Sequence, residues 1–280
     1  MVPKIYYKRA KIARASMGRV FAIIREYYAH KALAGSSLHS LSVPKIFGPL
    51  HIRNGYIGYH MEYVSGQHPD NHNGHYIRDA IGELYMQSNA ICSRIPALVK
   101  LCTPNLRIAF AKSLVLCVRR NVVTYIEATR LFNKFNEIYF NIPVSGPFFI
   151  HNDIHKGNII IPSSGNMPYV IDYGAFVIDK RVSLYDPVRI SWDGSKDYLD
   201  ANKLIFYASP MLKTSMPNDD FIRQLRIAIM CRIVGLVGRG VWNSSYSYSP
   251  HSSKFNNRVD DLVSKLWGVA NGSSLMFLVS

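Results

Sequence analysis

Cysteine is scarce in this sequence, acidic side chains are few, and no stretch reads as a long uncharged apolar run. The four cysteines, Cys92, Cys102, Cys117 and Cys231, lie far apart and form no C-x-x-C pair, which argues against a zinc knuckle or a disulfide framework. They read as buried thiols in a reducing compartment, so the expected location is the cytoplasm. No segment reads as reaching the roughly 18 apolar residues that a bilayer span needs. The opening Met-Val-Pro-Lys carries charge every few residues, and neither a secretory leader nor membrane insertion is expected. The 18 Asp plus Glu face 33 Lys plus Arg, a formal charge of +15, which attracts phosphate-bearing partners without choosing between nucleotide, RNA and an anionic surface. The cations run along the whole chain, from Lys4, Lys8, Arg9, Lys11 and Arg14 to Arg223, Arg226 and Arg232. That spread implies a polyanion-attracting surface rather than a disordered basic arm.

What is present is enough apolar material to fold: 48% hydrophobic residues in 280, suited to one large domain or two lobes. Lys4 to Ile12 reads as a strand and Met17 to Leu33 as a helix by apolar spacing. Ile46 to Ile52 and Tyr56 to Tyr63 flank the turn Arg53-Asn54-Gly55 and read as a hairpin. Gln67 to His75 is rich in Pro, Asn, Asp, His and Gly and marks a boundary between a first unit, residues 1–64, and a second, residues 65–280. Tyr76 to Tyr139 is helical in period with breaks at Pro96 and Pro104, and Leu106 to Phe140 is either one long helix or two abutting ones. Phe148 to Ile150, Ile159 to Ile161 and Tyr169 to Ile171 read as short buried strands. Helices are expected over Lys196 to Ala208, Asp219 to Val237 and Asn256 to Trp267, with a Ser, Tyr and Asn-rich loop from Asn243 to Ser253.

The chemistry concentrates in His151-Asn152-Asp153-Ile154-His155-Lys156-Gly157-Asn158, which sets a carboxylate and an amide five residues apart just after an apolar strand. Phosphoryl transfer needs such a pair, a carboxylate to orient or deprotonate a hydroxyl and an amide oxygen for a magnesium ion. Fourteen residues beyond Asn158, Ile171-Asp172-Tyr173-Gly174 adds a second carboxylate at a strand end, followed by a glycine that lets the chain turn sharply. Asp153 and Asn158 could instead be plain turn residues, but the arrival of Asp172 in the right context argues against chance. His151 and His155 read as braces for the loop backbone rather than as chemical groups. His68, His72 and His75 lack a carboxylate or thiol companion and are assigned no role.

These segments resemble the kinase superfamily: H-N-D-I-H-K-G-N is similar to the H-x-D-x-x-x-x-N catalytic loop, and I-D-Y-G to the D-F-G metal loop. The second histidine, and the glycine before the asparagine, make the resemblance closest to the aminoglycoside and choline phosphotransferases. Protein kinases usually carry arginine where this chain has Asn152. Asp186-Pro187 is similar to a structural Asp-Pro of that branch. The resemblance implies Asp153 as catalytic base and Asn158 and Asp172 as magnesium ligands. Upstream it implies a strand lysine paired with a helix glutamate, for which Lys8 and Glu26 are the candidates, with Lys11 as the other possible lysine. Those two read equally as an exposed strand lysine and a helix-face glutamate. Met61-Glu62-Tyr63-Val64 looks like the hinge that meets the adenine, although Met61 and Tyr63 read equally as core.

Two departures qualify the resemblance. Only seven residues precede Lys8, which leaves no room for the strands and glycine-rich loop that normally cover the phosphates, and Gly174 to Pro187 contains no A-P-E-like segment. The expected fold is therefore α+β, a two-lobed protein kinase-like fold with a reduced N-terminal sheet lobe and a mainly helical C-terminal lobe. The expected activity is ATP-dependent, magnesium-assisted phosphate transfer to a hydroxyl acceptor that the sequence does not identify. The alternative is a catalytically degenerate module, a pseudokinase binding RNA or a protein. The basic, cut-down chain also resembles kinase-like proteins of double-stranded RNA viruses, the seadornavirus group in particular, which would place it in a host cytoplasm.

Overall fold

In this computed structural model, residues 4–13, 17–70, 73–163, 167–193, 198–212, 216–239 and 253–272 are described. The first strand, β1 (Ile5–Lys11), leads into α1 (Met17–Ala34), and β2 (Ile46–Arg53) and β3 (Tyr56–Glu62) follow as a hairpin. Asn54 and Gly55 between them have φ of 51° and 74°. Positive φ at both central residues is the turn whose twist matches flanking strands, and Asn-Gly is the pair that tolerates it. The hairpin inserts β3 between its neighbours, so the antiparallel sheet runs β1-β3-β2, with Lys8 opposite Tyr59.

Helix α1 lies across this sheet and belongs to two cores. Its first half sets Val20, Ile23 and Tyr27 against Ala10, Ile57, Tyr59 and Met61 in a small cluster. Its second half sends Ala29, Ala32 and Leu33 into the large core shared with the helical body. The sheet is thus held to the helical body by a helix as well as by the chain itself. A short backbone bridge from Ser42 to Tyr169 adds to the join, and a second, Gln67 to Ile161, ties the segment after β3 to the body.

The helical body begins with α2 (Gly74–Met86), α3 (Ser88–Arg94), α4 (Ala97–Cys102), α5 (Leu106–Arg119) and α6 (Tyr125–Phe140). Of the two readings of Leu106 to Phe140, two helices is the one observed. The chain turns at Asn121, with φ 56°, and α6 starts at a capping box in which Thr124 and Glu127 satisfy each other's backbone N–H groups. The stretch Ala97–Arg119 is in fact long and apolar enough to cross a bilayer, contrary to expectation. Here Thr103 to Asn105 divides it, and Leu106, Phe110 and Leu114 of its second half are buried in the large core, with α5 packed on the helix Asn218–Arg239.

Next come β4 (Phe148–Ile150), β5 (Ile159–Ile160), β6 (Tyr169–Val170) and β7 (Val177–Asp179), paired β4 with β7 and β5 with β6. The remaining described elements are α7 (Tyr185–Ser191), β8 (Trp192–Asp193), β9 (Tyr198–Leu199), α8 (Ala201–Leu212), α9 (Asn218–Arg239) and α10 (Ser253–Ala270). The helix expected from Lys196 starts later, because Tyr198 and Leu199 pair with Trp192 and Asp193 and Asp200 accepts the Lys203 N–H at the helix start. The Asn243 to Ser253 loop lies outside the described residues except for Ser253, which opens α10. The cysteine reading needs one correction: Cys92, Cys117 and Cys231 are buried, but Cys102 is exposed. Helix α4 buries only Val99 and turns Leu98, Leu101 and Cys102 outward.

Candidate functional site

Between the sheet and the helical body lies a cleft of about 250 Å³, and Lys8, Glu26, Met61, Tyr63, Val64, Asn158 and Asp172 all line it. Strand alternation places Lys8, and not Lys11, at this cleft. Tyr6, Lys8 and Ala10 share one face of β1, with Ala10 in the small core and Tyr6 and Lys8 at the cleft. Lys11 has the opposite parity and is exposed at the strand end.

Lys8 Nζ reaches Glu26 Oε1 at 2.6 Å and Asp172 Oδ1 at 3.0 Å. Glu26 is 1% exposed and Lys8 24%, so this pair is part of the interior and not a solvated surface contact. Burial pushes the Glu26 carboxyl up, but His30, whose Nε2 lies 3.6 Å away, and Lys8 together outweigh it and hold the group below its ordinary range. Burial likewise works against the Lys8 ammonium, and the two carboxylates more than compensate, leaving its pKa raised.

The hinge candidates divide. Met61 is buried in the small core and Tyr63 is 52% exposed. The N–H of Glu62 donates to Lys45 O and that of Tyr63 to Lys4 O, so both are already used by neighbouring backbone.

The catalytic-loop candidate follows β4 and is organised by backbone hydrogen bonds. Asp186, on α7, accepts from the His151 N–H at 2.7 Å and the Asn152 N–H at 2.9 Å with its two oxygens. Asn152 takes φ 62° and donates its amide to Ala175 O, a conformation Asn adopts more readily than other non-glycine residues. His151 is fully buried and pairs Nε2 with Ile171 O at 3.0 Å, while Nδ1 faces the Asp153 N–H at 3.3 Å. A carbonyl can only accept, so Nε2 carries the proton and Nδ1 accepts, which is the neutral ring. Burial holds its pKa down to about 4 in agreement. His155 likewise spends Nδ1 on the Gly157 N–H. Asp153 does not line the cleft; its Oδ1 is ion-paired with Arg189 on α7.

Asn158 is buried and donates Nδ2 to Asp153 O at 2.9 Å. Its remaining polar atom, the oxygen, is the one available to the cleft that it lines with Asp172. Asp172 has φ 64°, a left-handed backbone that costs of order 1 kcal/mol for a residue with a side chain. The sharp turn expected at Gly174 is therefore made at Asp172. Gly174 serves close packing instead: a Cβ there would stand 3.3 Å from both Cβ and O of Ala22 on α1, a tighter fit than most side chains have. Arg25 closes the same contact by donating to Gly174 O at 2.7 Å.

Arg189, Arg25 and His30 have no place in the sequence reading, whereas Asp186, a structural residue there, is the one that braces the loop backbone. Arg189 had a legible signal, since three residues after Asp186 on a helix it shares the face that meets the loop. Among the described residues no group of three or more His, Cys, Asp or Glu side chains forms a metal cage. His68 bonds Ile159 O, the His75 ring lies tilted against that of Tyr76, and His72 lies outside the described residues.

No protein-family model matches the chain, and neither does any curated protein. Solved structures do. An AMP-bound spectinomycin phosphotransferase matches with TM-score 0.56 at 10% identity, over 98% of this chain and 89% of that one. A fructosamine-3-kinase candidate from Haemophilus somnus 129PT matches with TM-score 0.54 at 12% identity, over 92% and 84%. The GDP complex of an aminoglycoside 2′-phosphotransferase matches with TM-score 0.51 at 16% identity, over 90% and 83%. At such identities the likeness shows the fold, which is the two-lobed kinase-like fold of these phosphotransferases.

Proposed function

We propose that this chain is a phosphotransferase that uses ATP and magnesium to phosphorylate a hydroxyl of a small acceptor. The observation that carries the reading is the convergence of Lys8, Glu26, Asn158 and Asp172, from four separate elements, on one cleft between sheet and helical body. That solved neighbours include AMP, GDP, and ADP with spectinomycin complexes supports a nucleotide in that cleft and a small molecule beside it.

In this reading Lys8, held by Glu26, meets the α and β phosphates. The Glu62 and Tyr63 N–H groups being engaged, the backbone of Val64 is the hinge position left to meet the base. Asp172 and the Asn158 oxygen fit a magnesium ion, which characteristically takes one or two protein oxygens and completes its shell with phosphate and water. When bound, the ion neutralises phosphate charge. Arg189 occupies Asp153 Oδ1, which leaves Oδ2 to take the proton of the acceptor hydroxyl as its oxygen bonds to the γ-phosphorus and the bond to the bridging oxygen of ADP breaks. A cavity of about 630 Å³ beside the loop, lined by Lys156, Ile190, Phe206 and Tyr207, supplies room for the acceptor.

A second reading has one observation in its favour: Asp172 and Asp153 are already ion-paired, with Lys8 and Arg189. Such pairing suits a catalytically degenerate module that binds RNA through its +15 charge, as the resemblance to seadornavirus kinase-like proteins would imply. It expects polyanion binding with steep salt dependence and indifference to Asp153→Ala.

The test is thermal unfolding with ATP, with and without magnesium. Saturating ligand at about 100 times Kd stabilises a native-only site by about 2.7 kcal/mol. A rise in Tm that requires magnesium supports the phosphotransferase reading; no rise with ATP under either condition overturns it.

A further inference from the structure

Away from the cleft, α3, α4, the start of α5 and the end of α6 enclose a groove of about 990 Å³ that shares no lining residue with the nucleotide cleft or the acceptor cavity. Its walls are apolar, with Leu101 83%, Val144 60%, Phe140 56% and Ile108 43% exposed, and Leu98 on the adjoining turn of α4 73% exposed. So much aliphatic surface in one concavity marks an interaction site. Its charged lining is of one sign: Lys100, Arg107, Lys180 and Arg181, with no Asp or Glu. The carboxylate of Asp179 beneath it is buried and already serves the N–H groups of Leu106, Arg181 and Val182 and the Tyr139 hydroxyl.

We propose that this groove docks an acidic amphipathic segment of a partner protein, apolar side chains inward and carboxylates on the four cations. A concave, largely aliphatic trough fits a row of inserted side chains, whereas a lipid surface requires a protruding one. Single-stranded nucleic acid would need an open aromatic face for its bases. The exposed ring of Phe140 already has the guanidinium carbons of Arg107 and Arg181 over it, at 5.5 and 5.7 Å. Charge complementarity to an acidic segment selects partner and register.

Fluorescence anisotropy with a labelled helical peptide, leucine on one face and glutamate on the other, tests this on the full chain. The variants are Leu101→Asp and the pair Lys100→Glu with Lys180→Glu, all at exposed positions, with melting curves expected to match the parent. The peptide should bind, and each variant should weaken binding about tenfold or more. A version with lysine for glutamate should not bind. No binding of the acidic peptide, or binding that the variants leave unchanged, overturns the proposal. So does retention by phosphatidylserine vesicles or oligouridylate RNA that these variants abolish while the peptide fails.

Discussion

Lys8 Nζ stands 3.0 Å from Asp172 Oδ1, an ion pair across the cleft between residues 164 positions apart in the chain. The same ammonium is 2.6 Å from the buried Glu26. The Glu26 contact is interior and permanent in character, while Asp172 is 50% exposed, so the second contact is the one that phosphates and a cation would exchange for their own.

Lys8→Met should therefore cost both binding and stability. It strands Glu26, 1% exposed, as a buried carboxylate without its main counter-charge, a loss of about 3 kcal/mol in urea unfolding at neutral pH. Adding Glu26→Gln should recover much of the stability but none of the nucleotide affinity, and the two measurements on the double variant separate these roles.

Asp172→Asn keeps the side-chain shape and the residue type that tolerates φ near 64°. The fold should melt close to the parent, while the magnesium-dependent part of ATP stabilisation disappears. Calorimetric titration with ATP, with magnesium present and absent, should give matching curves for this variant.

Asp153→Asn should lower kcat about 100-fold or more while leaving nucleotide affinity near that of the parent, since Asp153 is absent from the cleft lining. Arg189→Lys preserves charge but loses the fork that fixes one Asp153 oxygen. Displacement of the base on that scale costs up to about 100-fold in rate. Steady-state kinetics with an identified acceptor should show both losses in kcat and little change in the KM for ATP.

Asp186 supplies a pH signature. Burial pushes its carboxyl up from 3.8 to about 6 against the two loop N–H bonds that favour ionisation. A folded pKa above the unfolded one means its contribution is fully present below pH 3.8 and is lost as pH rises through 6. Relative to Asp186→Asn, the parent should thus lose about 3 kcal/mol of stability between these limits, measured as the difference between urea midpoints of the two proteins. Activity should run the opposite way, falling below pH 6 as one acceptor of the His151 and Asn152 N–H groups becomes a hydroxyl.

Much of this arrangement is legible in the sequence. The hairpin announced itself through Asn54-Gly55, and the loops of Asp153, Asn158 and Asp172 through spacing between short apolar strands. What stayed hidden depends on pairings between distant segments. Val177 to Asp179 is too short to show alternation and becomes a strand only because Phe148 to Ile150 lies beside it. Gly174 reads as a turn residue because turn-making is a common use of glycine, whereas here its missing side chain eases the approach of α1 and Asp172 does the turning. Arg189 leaves one trace, its place three residues after Asp186, and the pairing of Asp186 with the loop backbone gives that trace its meaning.

Helix α1 is rooted in the large core by Ala29, Ala32 and Leu33 while its other half carries the sheet. Arg25 and Ala22 hold it against the turn that follows Asp172. The sheet is thus less a jaw on a flexible strap than a bracket bolted to the body through one rigid beam. On the proposed reading, the gauge of the slot between Lys8 and Asp172 would stay as folding sets it, and a nucleotide would have to fit that gauge on arrival. Small-angle scattering should then record the same radius of gyration with and without bound nucleotide.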